Sequence, residues 1–460
     1  MKRYADLAPT PRTILTPGPV EADPRVLRAM SHTVLGQFDP EFTALMNETM
    51  EMLRELFRTG NRWAYPVDGT SRSGLEAVLT GLIEPGDRVL VPIFGRFGHL
   101  LTELAQRLGA EVYTIEKPWG EVFEPREVIE AIDACRPDLV AIVHGETSTG
   151  RVQPLEAIGK ACRERDILIV VDAVATIGGV PVETDAWRLD AVVGGAQKCL
   201  SVPSGMAPIT YNERAEAKLL RRKRVERGLQ PPAAAAEEPP GALAAAGLPG
   251  SSGAAARPES AAGPGSAGHA ALASAAPKLQ PPPSSELGGS VIRSNYLDLS
   301  QLQDYWSPAR LNHHTEMTSM LYALREGVRL VLEEGLEARF ARHRRHESAL
   351  VAGLEAMGQR LYGDPSCKLA VVACVEIPEG IDGESVRSML LEQFGIEIAS
   401  SFGPLKGRIW RIGTMGYSCS KRNVLLLLVA LEAVLLRHGA RLEAGAAVQA
   451  ALDIYEEGSV

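Results

Sequence analysis

Two stretches decide the fold: Ile167-Leu-Ile-Val-Val-Asp172 and, one α/β step later, Ala191-Val-Val-Gly-Gly-Ala-Gln-Lys198. The first is an unbroken apolar, largely β-branched run closed by an acid. Without polar–apolar alternation, such a run marks a strand covered on both faces, as in a parallel sheet flanked by helices. The second is a shorter apolar run that ends in two glycines and delivers a lysine among small residues. Upstream the same grammar repeats. A helical region spans 24–57 and a helix 75–83, and the turn Glu84-Pro-Gly-Asp87 feeds a strand over 88–93. A helix over 100–108, a strand over 111–115, a helix over 125–135, a strand over 139–144 and a helix over 154–165 follow. Downstream, a helical region over 318–357 breaks near Gly335. It precedes strands over 368–377, 395–399 and 408–412 and helices over 384–394 and 423–438. The expected fold class is α/β. An arm of residues 1–23 leads into a mostly parallel-sheet large domain over 24–334, followed by a smaller α+β C-terminal domain over 335–460.

One segment breaks this pattern. From Gln230 to Ser290, 47 of 61 residues are Ala, Pro, Gly or Ser, and large apolar side chains are nearly absent. Such a composition buries too little surface to offset its ordering entropy, so 230–290 is expected to be a disordered surface insert. The basic run Arg221-Arg-Lys-Arg224 before it is expected to be a solvated helix face. With 48 Lys+Arg against 57 Asp+Glu, the net charge of −9 argues against a nucleic-acid partner. The apolar run over 424–436 is interrupted by Glu432 and is shorter than the roughly 20 residues a bilayer span needs, so no membrane partner is expected. The N-terminal residues carry no signal-peptide pattern and the six cysteines form no secreted framework, which makes the cytoplasm the expected compartment.

Three features carry chemistry. Lys198 follows a buried strand, with Gly194, Gly195 and Ala196 leaving room for a bulky group. A desolvated lysine can give up its proton and bond a carbonyl carbon, although most lysines are solvated surface charges. Asp172 closes a strand; it serves either as a turn or cap residue, or as a ligand group at the carboxyl edge of the sheet. In Asp68-Gly-Thr-Ser-Arg72, hydroxyls, a cation and the free N–H groups of a starting helix gather into an anion cup, a commonplace motif when met alone. No P-loop or GxGxxG pattern accompanies it, which disfavours nucleotides. Lysine, acid and anion cup on one sheet match what pyridoxal phosphate requires.

The chain resembles the class V aminotransferases, fold-type I pyridoxal phosphate enzymes, and within them the alanine–glyoxylate and ureidoglycine–glyoxylate group. The resemblance rests on Leu15-Thr-Pro-Gly-Pro-Val20, Leu75-Glu-Ala77, His144-Gly-Glu-Thr-Ser-Thr-Gly150, Val171-Asp-Ala-Val174, Gln197-Lys198, His313-His-Thr315 and Arg411-Ile-Gly413. It implies pyridoxal 5′-phosphate as cofactor, a Schiff base on Lys198 and a pairing of Asp172 with the pyridine nitrogen. Phe97 would stack on one face of the ring and Val174 press the other, with Thr147 beside the ring hydroxyl. Thr70, Ser71, Arg72 and Gln197 would hold the phosphate, together with Thr315 from the second subunit of a homodimer. Arg411 would clamp the substrate carboxylate. Phe97 also reads as plain core and Thr147 as a turn residue. Cys199 is pinned beside Lys198, which argues against the mobile nucleophile of a desulfurase, and the adjacent His313 and His314 diverge too much to suggest a metal.

Two positions separate the branches. Asn312 stands where alanine–glyoxylate enzymes have Tyr, and Gly36-Gln-Phe-Asp-Pro40 and Asp304-Tyr-Trp-Ser-Pro308 resemble the ureidoglycine branch. The carboxamides of Gln37 and Asn312 both donate and accept, as reading a ureido group requires; alternatively they bond backbone. The resemblance therefore implies a small-molecule amino donor, (S)-ureidoglycine, with glyoxylate as acceptor, giving oxalurate and glycine in purine (allantoin) breakdown. An alanine– or serine–glyoxylate aminotransferase is the enzyme alternative, and a pyridoxal-binding regulatory or scaffold protein the non-enzyme one.

Overall fold

The run Ile167–Val171 does form a covered strand, now bounded as Leu168–Asp172, with all of its residues buried. It lies at the centre of a seven-stranded sheet in a computed structural model that describes residues 4–224 and 290–457. The strand order is Trp63–Gly69, Gly205–Tyr211, Ala191–Val193, Leu168–Asp172, Leu139–Val143, Arg88–Ile93, Glu111–Glu116. Gly205–Tyr211 runs antiparallel to both neighbours, and the other pairs are parallel. Six strands therefore point the same way, and the loops after their carboxyl ends can converge. The central strand Leu139–Val143 is buried throughout, whereas the edge strand Glu111–Glu116 places both glutamates in solvent. Charge on an exposed edge discourages further strand pairing.

The α/β reading holds, and the strands at 63–69 and 205–211 extend it. Both contain proline, Pro66 and Pro208, which obscured them, because proline cannot donate to a sheet ladder. The helical region 24–57 resolves into Pro24–Ala29 and Pro40–Phe57, each started by a proline behind a capping aspartate. Helices Leu299–Trp306 and Ala446–Glu457 are additional. The break near Gly335 separates Thr318–Glu334 from Leu336–Ala356.

One apolar core surrounds the large sheet, and a second joins Leu350, Leu354, Val375, Trp410, Ile412 and Leu428. The N-terminal arm is part of this architecture: Thr13–Ile14 pairs with Ile396–Glu397, and Leu15 is buried in the second core. A smaller cluster, with Val20, Cys199, Val371 and Met415, ties the arm to the lysine loop. The segment 230–290, read as a disordered insert, lies outside the described residues except for Ser290. The solvated reading of 221–224 fails at Arg222. Its buried guanidinium donates to the carbonyls of Thr80, Gly81 and Ile83, at the open end of helix Ser71–Leu82, and to Ser290. An arginine there satisfies carbonyls that the helix cannot. Among the described residues, no helix is long and apolar enough to cross a membrane.

Candidate active site

Five of the co-directed strands deliver residues to one cavity of about 230 Å³. Gly69 ends a strand and opens Thr70-Ser-Arg72; Ile93 precedes Phe97, and Val143 precedes Thr147. Asp172 is itself a last strand residue, and Val193 precedes Gln197 and Lys198. Thr70, Ser71, Arg72, Phe97, Thr147, Asp172, Val174, Gln197 and Lys198 all line the cavity, so nine positions named from sequence meet in one place.

Their chemistry is set by burial. Lys198 is 9% exposed, and its Nζ donates to the carbonyl of Pro17. Burial, reinforced by the nearby Arg411 cation, lowers its pKa to about 8. Asp172 is 5% exposed, and burial raises its pKa to about 6 against a backbone hydrogen bond from Val174 to Oδ1 at 3.0 Å. Among the described residues no group donates to its Oδ2. The cup at the start of helix Ser71–Leu82 is open: the Thr70 hydroxyl caps no backbone amide, and Ser71 Oγ donates to Gln197 Oε1 at 2.8 Å. Positive helix-end dipole and Arg72 together suit a dianion.

Arg411 stands beside the cavity. Its Nε donates to Ser400 O at 2.7 Å and its Nη1 to Thr147 O at 3.2 Å, with the Phe402 ring 4.4 Å from the guanidinium carbon. These bonds fix the fork while leaving Nη2 without a hydrogen bond among the described residues. Gln37, Asn312 and Thr315 do not enter this cavity. Gln37 Nε2 donates to Asn312 Oδ1 at 2.9 Å, so the two carboxamides bond each other and not backbone. Asn312 and Thr315 are exposed.

Two contributors escaped the sequence reading. Glu146, fully buried, accepts from Phe97 N at 2.8 Å and from Ser148 N and Oγ at 2.9 and 2.6 Å. It ties the loop bearing the aromatic to the loop bearing Thr147, and its side chain leaves no space for a Cβ on Gly95. Pro17 presents its carbonyl to Lys198, and any side chain on Gly18, whose φ is +107°, would collide with that lysine. Glu146 sits in His144–Gly150 and Gly18 in Leu15–Val20, so the motifs were visible although the roles were not. Cys199 is buried with its Sγ toward the carbonyl of Ala175, and burial lifts its pKa to about 11, the setting of an inert thiol.

A co-directed α/β sheet brings a desolvated lysine, a buried acid and an anion cup to one edge, and the chain belongs to the class V aminotransferase family, whose model matches residues 24–224 and 265–406. Within that family it is 62% identical over 445 residues to the (S)-ureidoglycine–glyoxylate transaminase of Bacillus subtilis, covering 97% of this chain and 95% of the relative. The crystal structure of ureidoglycine–glyoxylate aminotransferase from Bacillus subtilis matches at a TM-score of 0.83 and 60% identity, covering 98% of this chain and all of that one. The alanine–glyoxylate aminotransferase of Callithrix jacchus is 31% identical over 428 residues, covering 92% of this chain and 87% of the relative.

Proposed function

We propose that this chain binds pyridoxal 5′-phosphate in the 230 Å³ cavity and transfers the amino group of (S)-ureidoglycine to glyoxylate, yielding oxalurate and glycine. The observation that carries the cofactor assignment is the juxtaposition of Lys198 and Asp172, two buried ionisable groups that line the same cavity. Among the described residues Asp172 Oδ2 lacks a donor, and a protonated ring nitrogen is the partner it fits. Thr70, Ser71, Arg72 and Gln197 fit a phosphate, Phe97 and Val174 the two faces of a flat ring, and Thr147 its hydroxyl edge. Lys198 fits an aldehyde, because its lowered pKa makes the neutral amine accessible near pH 8.

When bound, pyridoxal phosphate supplies the electron sink that lets the Cα–H bond of an amino donor ionise. The protein supplies the rest. Lys198 Nζ moves the proton at Cα, a role for which a pKa near the working pH is well matched. Asp172 holds a proton on the ring nitrogen by its negative charge. Arg411 binds the substrate carboxylate through its planar fork, held in place by Ser400 and Thr147. Glu146 orients the loops that carry Phe97 and Thr147.

The substrate assignment is supported by the 62% identity to an (S)-ureidoglycine–glyoxylate transaminase and by the Gln37–Asn312 pair. Because that pair and Thr315 lie outside this chain's own cavity, we place them at the cavity of a partner subunit in a homodimer. We also place the enzyme in the cytoplasm, a reading supported by six buried, unpaired cysteines. The test is donor profiling: ureidoglycine, alanine and serine, each with glyoxylate, followed by glycine formation. Among the described residues Gln37 Oε1 is buried without a hydrogen-bond partner, and leaving such an acceptor unpaired costs about 1–3 kcal/mol, so ureidoglycine should exceed alanine in kcat/KM by about 5- to 150-fold. Equal rates reject the substrate assignment. Cofactor binding without turnover of any amine favours the regulatory alternative.

A further inference from the structure

Lys198 is carried by a turn, 196–202, that backbone hydrogen bonds close only in part. Val202 N donates to Ala196 O at 3.1 Å, Val20 N to Gln197 O at 3.2 Å and Ser201 N to Lys198 O at 3.0 Å. The next carbonyl, that of Cys199, accepts instead from a side chain 140 positions away, through Nη2 of Arg339. Ser201 has a φ of +56°, a left-handed conformation that costs any residue but glycine, and its Oγ accepts from Tyr417 N at 2.6 Å. Such a turn persists only where its surroundings hold it.

Arg339 lies in the first turn of helix Leu336–Ala356 and is buried. Its three guanidinium nitrogens serve three different acceptors. Besides the bond to Cys199 O, Nε donates to Gly178 O at 2.9 Å and Nη1 to Glu334 Oε2 at 2.5 Å. Gly178 follows Asp172 by six residues, on the loop that also bears Val174. One planar fork therefore spans the loop after Asp172 and the turn of Lys198. The two segments also pack directly, since a Cβ on Gly179 would collide with Cys199 Sγ. The same helix backs this contact from the other side. His343 donates from Nδ1 to Arg339 O at 2.8 Å, because a carbonyl can only accept, and its Nε2 accepts from Gly416 N at 3.0 Å. A Cβ on Gly416 would stand 3.0 Å from Cys199 O, so this glycine abuts the same carbonyl. Arg222 holds one helix end; what Arg339 holds is the spacing of two cavity loops.

We propose that Arg339 is a positioning residue that sets the separation of Lys198 from Asp172 by bridging the carbonyls of Cys199 and Gly178. The proposal rests on the cofactor reading above: a rigid ring paired with Asp172 reaches Lys198 only if the two side chains keep their spacing. There the amine nitrogen of Lys198 bonds the aldehyde carbon, and the aldehyde oxygen leaves as water. An ammonium is a point donor that cannot span two carbonyls, so charge alone does not replace the fork.

Full-length apoprotein as wild type, Arg339→Lys and Arg222→Met is titrated with pyridoxal phosphate and, separately, with pyridoxamine phosphate. Only the first has an aldehyde to bond to Lys198; the second reads the ring and phosphate contacts alone. In Arg339→Lys, Kd for pyridoxal phosphate should rise about tenfold, the scale of a displaced charge-assisted hydrogen bond, with Kd for pyridoxamine phosphate within about twofold. Arg222→Met should keep the wild-type ratio of the two constants. Equal weakening of both ligands in Arg339→Lys marks a purely structural residue and overturns the proposal, as does no change in either. A ratio shifted as far by Arg222→Met overturns it too, because any loss of stability would then suffice. If Arg339→Lys does not fold, Glu334→Ala, which unseats Nη1, replaces it. The ratio should then rise about threefold, and an unchanged ratio overturns the proposal. Wild type that binds neither ligand rejects the cofactor reading, and Lys198 labelling by formaldehyde and cyanoborohydride, read by mass spectrometry, then judges Arg339. A labelling rate in the variant at least about threefold from wild type is expected, and an equal rate overturns the proposal.

Discussion

Lys198 and Arg222 are both cations nearly removed from water, 9% and 4% exposed, yet their surroundings differ in kind. Arg222 is richly bonded: Nη1 serves the carbonyls of Thr80, Gly81 and Ile83, and Nε serves Ser290. Among the described residues Lys198 makes a single side-chain hydrogen bond, to Pro17, with Arg411 near enough to oppose its charge. Several hydrogen bonds to backbone carbonyls are the signature of a residue that holds the fold together. An under-satisfied buried charge destabilises the fold, and such groups persist where chemistry requires them. Asp172 follows the same pattern as Lys198, with one oxygen bonded and the other open to the cavity.

The comparison breaks most visibly at Lys198. Lys198→Ala should lower kcat by roughly 10²–10⁴-fold, the range for removing a positioned proton-transfer group, while leaving the thermal midpoint of the apoprotein unchanged or raised. A turnover assay alongside calorimetry checks this, and retained activity would remove Lys198 from the mechanism.

Asp172 sharpens the contrast through pH. Its folded pKa is raised to about 6 from 3.8, so the folded state holds this proton more tightly than the unfolded chain. The stability it contributes is therefore present below pH 3.8 and lost as pH rises to about 6, by about 3 kcal/mol by linkage. Asp172→Asn in the apoprotein should flatten that slope and gain stability at pH 7, yet lower kcat by about 10²-fold or more, as expected for loss of an electrostatic partner. Chemical denaturation at several pH values would show it; an unchanged slope would mean that Asp172 carries no such penalty.

Arg222→Met should do the reverse. Unsatisfied helix-end carbonyls cost about 2–4 kcal/mol together, so the midpoint should fall while kcat and KM stay within about twofold. A kinetic effect without a stability loss would contradict the structural role given to Arg222.

The central strands were legible because full burial leaves an unbroken apolar run, as in Leu139–Val143 and Leu168–Asp172. The strand Gly205–Tyr211 was not, because Pro208 and the reversed direction remove both the composition and the alternation that announce a strand. Lys198, Asp172 and the turn after Asp68 were readable from type and spacing. Glu146 was not, since a glutamate reads as surface until backbone amides from two loops are seen to converge on it. The run 221–224 shows the opposite error: basic composition suggested solvent, and a helix terminus distant in sequence claimed Arg222.

Sequence alone determined the α/β class, the family resemblance and nine residues of one cavity, because local periodicity and motif spacing survive in one dimension. Only the tertiary structure decided which buried charges are satisfied, that Gln37 and Asn312 bond each other outside that cavity, and that Asp68 meets His314 and Glu316. Those outcomes depend on desolvation and on contacts between residues as much as 275 positions apart, and neither is written in the neighbouring sequence.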